Sequence, residues 1–177
     1  PVCNSQQLDY NSNGPGSDDF TGANANSNGC LLNGEHQSSW FQIYISPNSP
    51  PGATLAFTIT PNGGSGEDYD FALYGPDVGC NNLGSPIRCS YAASTCGFCP
   101  ETGLGMGTTD FSEGAGGDGF VAEVQTQPGE SYILLVDNWL ASNQGFFLQW
   151  TGSAVLSCDC VAELTIEGDL EICPGET

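Results

Sequence analysis

Lysine is absent from this 177-residue chain, and arginine and histidine occur once each, as Arg88 and His36. Nucleic-acid binding draws its affinity from cations that displace phosphate counterions. A single guanidinium supplies almost none of that, so nucleic acid is excluded as a partner. An anionic membrane surface is excluded by the same deficit. No apolar run approaches the ~20 residues of a membrane-spanning helix, so membrane insertion is not expected. Long helical runs of Ala, Leu, Glu and Lys are also missing. No signal-peptide pattern opens the sequence, which is read as starting at a mature terminus.

In their place stand 21 acidic residues, a formal net charge of −20, 25 glycines, 11 prolines and 9 cysteines. The charge keeps the chain soluble but self-repelling, and it suits salty water and divalent cations. Turn-forming residues spread between short β-branched and aromatic runs point to an all-β domain rich in loops. The cysteine count points to disulfides and an oxidising compartment, hence an extracellular or cell-surface location. Zinc is the competing reading for Cys96-Gly97-Phe98-Cys99 and Cys158-Asp159-Cys160, but no histidine flanks either pair at a ligand-like spacing. Cys3, Cys30, Cys80, Cys89, Cys96, Cys99, Cys158 and Cys160 are therefore assigned to disulfides. Cys3 and Cys30 are expected to tie down a polar N-terminal segment, to each other or to the body of the domain. Cys80 and Cys89, across a turn holding Gly84 and Pro86, are expected to pair. Cys173 is the odd cysteine.

Residues 1–160 read as one β-sandwich module, with 1–34 a stapled loop segment. Residues 161–177 read as a linker and the first strand of a following immunoglobulin-like module. Within the sandwich, Phe41, Ile43 and Ile45 alternate with Trp40, Gln42 and Tyr44, which predicts a strand over 39–45. A second strand is expected over 53–60, with Leu55, Phe57 and Ile59 inward. Residues 67–74 form a third, with Tyr69, Phe71 and Leu73 on the core face and Asp68 and Asp70 together on the other. Strands are also expected over 87–91, 119–127 and 146–151. The run Tyr132-Ile133-Leu134-Leu135-Val136 is nearly continuous in apolar residues and predicts a central strand buried on both faces. Residues 103–119, rich in glycine and without period, read as a stapled loop.

Two carboxylates side by side on one strand repel unless a cation sits between them. Asp137 and Asn138 end the central strand where Asp68 begins another, so antiparallel pairing would bring the four together. Calcium takes six to eight oxygens from such groups, which makes Asp68, Asp70, Asp137 and Asn138 the candidate metal site and Ca²⁺ the expected cofactor. The alternative is an ion pair from Arg88 to Asp68 or Asp70. Trp40 and Trp139 are candidate platforms for a sugar or other ligand. His36 lies in a polar turn and reads as an ordinary surface histidine. No catalytic constellation stands out, and no enzyme is expected.

Several segments together carry a resemblance. They are Ser38-Ser39-Trp40-Phe41-Gln42-Ile43, Asp68-Tyr69-Asp70-Phe71-Ala72-Leu73-Tyr74-Gly75-Pro76, Ile87-Arg88-Cys89-Ser90-Tyr91, Pro128-Gly129-Glu130-Ser131-Tyr132 through Asn138, and Gly145-Phe146-Phe147-Leu148-Gln149-Trp150. Over about residues 30–160 the chain resembles a β-sandwich module repeated in large secreted surface proteins of gliding and marine Bacteroidetes. That module is similar to the bacterial pre-peptidase C-terminal domain. The resemblance implies a jelly-roll-like antiparallel β-sandwich, a secreted or cell-surface setting and a non-catalytic structural or adhesive role. Neighbouring modules of the same chain are the implied partners, and some relatives of the pre-peptidase domain bind calcium. Two alternatives are a carbohydrate-binding module that recognises surface glycans, and a filament subunit that pairs with copies of itself through its C-terminal strand.

Overall fold

The structure, a computed structural model, describes residues 1–11, 14, 16–32, 34–95 and 99–158. Cys96, Cys160, Cys173 and the expected further module at 161–177 lie outside the described residues. Two five-stranded sheets face each other, and the apolar face of each is the core of the molecule. The first is built from β1 (Leu8–Tyr10), β12 (Phe146–Trp150), β4 (Phe57–Pro61), β7 (Thr102–Leu104) and β9 (Phe120–Val121), in that order. The second is built from β2 (Ser38–Tyr44), β11 (Ser131–Asn138), β5 (Tyr69–Tyr74), β6 (Arg88–Ser90) and β8 (Ser112–Glu113). A short pair, β3 (Thr54–Leu55) with β10 (Val124–Gln125), closes one corner. No helix among the described residues is long and apolar enough to cross a membrane.

The all-β sandwich expected from composition is therefore present. Pairing is antiparallel except at two margins, where β6 runs parallel to β8 and β7 parallel to β9. Both parallel partners of this kind come from the stretch read as loop. The presence of β7 there depends on a glycine: a Cβ at Gly103 would sit 2.1 Å from the Phe57 carbonyl oxygen. Only the bare backbone of Gly103 lets β7 close against β4. The strand expected over 119–127 also divides, with β9 in one sheet, β10 in the corner pair, and Ala122 and Glu123 between them in neither.

The alternating faces meet as the pattern requires. Phe41, Ile43, Phe71, Leu73, Leu134 and Val136 project from the second sheet onto Phe57, Ile59, Leu104, Phe146 and Leu148 of the first. Phe71 is fully buried and meets Phe57 edge to face, with ring centroids 5.3 Å apart. Phe71→Ala is expected to cost about 3–5 kcal/mol of stability, because the neighbouring rings cannot collapse into the space it leaves. The midpoint of urea unfolding measures this.

A second apolar layer covers the outer face of the second sheet. Ala72, Tyr74, Ile133 and Leu135 lie under Phe20, Leu31 and Leu83. The cover is the polar N-terminal segment, held by the Cys30–Cys89 disulfide and by Tyr74, whose hydroxyl donates to the Ser27 carbonyl at 2.9 Å. As expected, β11 is buried on both faces, and β5 is too.

The two ends of the sandwich meet along β2. Val2 bridges Ile43 in parallel, and its amide donates to Gln42 O at 2.7 Å. On the exit side Leu156 bridges Ile45 and the Ser157 amide donates to Tyr44 O. Cys3 and Cys158 are thereby adjacent and form a disulfide, their Cα atoms 4.6 Å apart across 155 residues of sequence.

Candidate functional site

Antiparallel pairing of β5 with β11 sets Asp70 opposite Asp137 and Tyr69 opposite Asn138. Beyond the last pair, the Trp139 amide donates to Asp68 O at 3.0 Å. The strand ends therefore meet as the sequence predicts. Adjacent residues of a strand face opposite ways, and this sorts the four candidate ligands into two groups. Asp70 and Asp137 face outward, beneath the N-terminal cover. Asn138 faces the core side. There its Nδ2 donates to the Tyr69 hydroxyl at 3.1 Å and to Ser142 Oγ at 3.0 Å, while its Oδ1 accepts from the Leu140 amide. Asn138 thus pins the loop after β11 and does not join the carboxylates.

Asp137 is 1% exposed and well satisfied. Its Oδ1 accepts from the His36 and Gln37 amides at 2.8 and 3.1 Å, and its Oδ2 lies 2.7 Å from His36 Nδ1. His36 is the residue that sequence reasoning passed over. Its side chain is only 26% exposed and lies against Trp139, ring centroids 4.2 Å apart. The signal for it was the register of β2: Ser38 pairs with Asp137, so the two residues just before Ser38 arrive at that carboxylate.

Asp70 differs from its neighbour. It is 5% exposed, and no described residue donates a hydrogen bond to its carboxyl group. Desolvation, then the charges of Asp68 and Asp137, push its pKa up to about 8. Asp68 is half-buried. Desolvation raises its pKa, and a hydrogen bond from the Ser94 amide partly offsets this. Among the described residues no group of three or more His, Cys, Asp or Glu side chains is arranged to hold a metal ion.

Arg88 does not neutralise the aspartates. Its guanidinium donates to three backbone carbonyls, Ala122 O at 2.6 Å, Ile87 O at 2.7 Å and Glu123 O at 2.9 Å, and lies 4.2 Å from the centre of the Phe111 ring. Carried on β6, it closes the loop after β9 and makes no ion pair with Asp68 or Asp70. The expected pairing of Cys80 with Cys89 is also replaced. Cys89 points to the outer face of β6, where Cys30 arrives with the N-terminal cover. Cys80, assigned to a disulfide from the sequence, is instead an exposed free thiol, the one free cysteine among the described residues. Cys99 is disulfide-bonded.

The two tryptophans have different surroundings. Trp40 is half-buried, stacks on Tyr74 at 5.9 Å and donates from Nε1 to Glu35 Oε1 at 2.9 Å. It also forms part of the wall of a groove of about 550 Å³ between the cover and the sheet, with Asp19, Asn24, Gln42, Asn81 and Ile133. Trp139 is 39% exposed and stands at the mouth of a pocket of about 60 Å³ that reaches Asp70. Compared with known proteins, the chain matches no family model, no curated protein and no solved structure.

Proposed function

We propose that the chain is a non-catalytic structural and adhesive module of a secreted or cell-surface protein. The observation that carries this is the Cys3–Cys158 disulfide. Tension applied to the flanks of the sandwich passes from Cys3 to Cys158 through one covalent bond, and residues 4–157 bear none of it. A surface that must hold a partner under shear keeps its shape in this arrangement. Two disulfides joining distant parts of the chain suit an oxidising compartment, and the deficit of cations favours an extracellular, salt-rich setting.

Force spectroscopy with handles at residues 1 and 177 tests the proposal. The oxidised chain should show no lengthening from the sandwich. After reduction a step of about 500–550 Å should appear, the extended length of 155 residues at about 3.3–3.6 Å each. An oxidised chain that gives the same step overturns the mechanical reading.

The groove beside Trp40 favours a second reading, a carbohydrate-binding module. Its volume lies within the range of about 300–1,000 Å³ typical of ligand sites, and amide and carboxylate side chains line it next to an indole. A glycan array probed with and without Ca²⁺ separates the two readings, because absence of binding in both conditions removes the second.

A further inference from the structure

Among the described residues none donates a hydrogen bond to Asp70, yet its carboxyl group is not sealed off. Its side chain lies at the floor of the 60 Å³ pocket, whose walls include Leu31, His36, Tyr91 and Trp139. At about 10–15 Å³ for each water-sized occupant, the pocket has room for a headgroup of about four to six heavy atoms. Of the residues that line it, Leu32 is 68% exposed and Trp139 39%. On a chain of net charge −20, this is an apolar collar around a single carboxyl group.

The combination is selective. A metal ion needs several oxygen ligands, and these walls are mostly carbon. An anion is repelled by Asp68 and Asp137, and by Asp70 whenever it is ionised. A neutral sugar needs donors and acceptors along its length, and the pocket offers few. An ammonium ion that carries its own hydrocarbon matches both parts: its charge faces the carboxylate and the aromatic rings, and its methyl or methylene groups fill the collar. Asp137 does not compete, since His36 and Gln37 already occupy its oxygens.

We propose that the pocket between Leu31, Tyr91 and Trp139 binds an organic ammonium group, with its charge on Asp70. These 177 residues hold no lysine, so a lysine ammonium would come from outside them. The ammonium group is either a lysine side chain presented by a protein or a free quaternary ammonium ion. This site is independent of the mechanical role of Cys3–Cys158 and does not rest on it.

The test is a tryptophan-fluorescence titration of the full chain at pH 9 with tetramethylammonium chloride and with Nα-acetyl-lysine N-methylamide. Sodium chloride at matched ionic strength and tert-butanol serve as controls. At least one ammonium should give a saturable response, and Asp70→Asn and Trp139→Ala should each weaken it at least tenfold, or abolish it, with melting curves showing both variants folded. A stronger response to the lysine derivative assigns the site to a protein partner, and a stronger response to tetramethylammonium assigns it to a small quaternary ion. The proposal is overturned if neither ammonium saturates below about 100 mM, the weak limit of useful affinity. It is also overturned if tert-butanol binds equally well, if Asp70→Asn changes nothing, or if CaCl₂ saturates the site and the ammonium ions do not.

Discussion

Cys3→Ser lowers the stability of the oxidised chain by about 2–5 kcal/mol, the range for losing a disulfide that closes a long loop. Within the chain-entropy account the cost grows with the logarithm of loop length. The Cys3–Cys158 loop spans 155 residues and the Cys30–Cys89 loop 59. The first should therefore cost more than the second by about 1 kcal/mol, less than a simple comparison of lengths suggests. The two losses also differ in kind. Without Cys30–Cys89 the N-terminal cover loses its covalent anchor over Ala72, Tyr74 and Leu135. Without Cys3–Cys158 the sheets stay closed and the entry and exit segments come free. Guanidinium unfolding of the two single variants, followed by Trp fluorescence, distinguishes them. Equal midpoints for wild type and Cys3→Ser would show that the ends are held by something other than the disulfide.

Asp70→Asn is expected to stabilise the protein, and more so as the pH rises. The carboxyl group titrates near its ordinary value of 3.8 when unfolded and at about 8 when folded. Between those values the folded state holds a proton that the unfolded state has released. Stability therefore falls as pH rises from about 4 to about 8, and the whole cost is present above that. Asp68, Asp137, His36 and Tyr91 are the titratable groups around it. An amide is neutral throughout and carries none of this cost, so the variant should gain several kcal/mol at pH 8.5 and little at pH 4. Melting temperatures of the two proteins across that range should converge at acid pH and separate at alkaline pH. Parallel curves would mean that Asp70 ionises freely in the folded state.

The sequence was most informative where a strand borders one apolar layer. Phe41 and Ile43, Phe57 and Ile59, and Phe71 and Leu73 announce β2, β4 and β5 by alternation, and the unbroken run from Tyr132 to Val136 announces β11. The outer layer was not visible in the same way. Its cover holds few apolar anchors, Phe20 and Leu31 among many Asn, Ser and Gly residues, and its hold on the sheet comes from a disulfide whose pairing no local pattern reveals. For that reason Asp70 read only as sharing a face with Asp68, with no sign of the N-terminal segment that covers it. The margins β7 and β8 were hidden because strands of two or three residues have no period to detect; β4 and β6 set their positions. Asp137 and Asn138 show the same limit at a single site. Adjacency in sequence suggested a shared role, and strand geometry sends one outward to His36 and the other inward to Tyr69.

The pairing of Val2 and Leu156 with the two ends of β2 has a consequence for behaviour between molecules. β2, with seven residues, is the longest strand at a sheet margin, and an unpaired margin of that length is a template for another chain. Val2 occupies part of it and Leu156 caps the residue beyond it, and the disulfide keeps both in place. Mutual repulsion at net charge −20 adds a second barrier, one that salt screens within about 10 Å at 0.1 M. Reducing conditions and high salt remove both barriers at once, and in that combination the protein is expected to aggregate edge to edge.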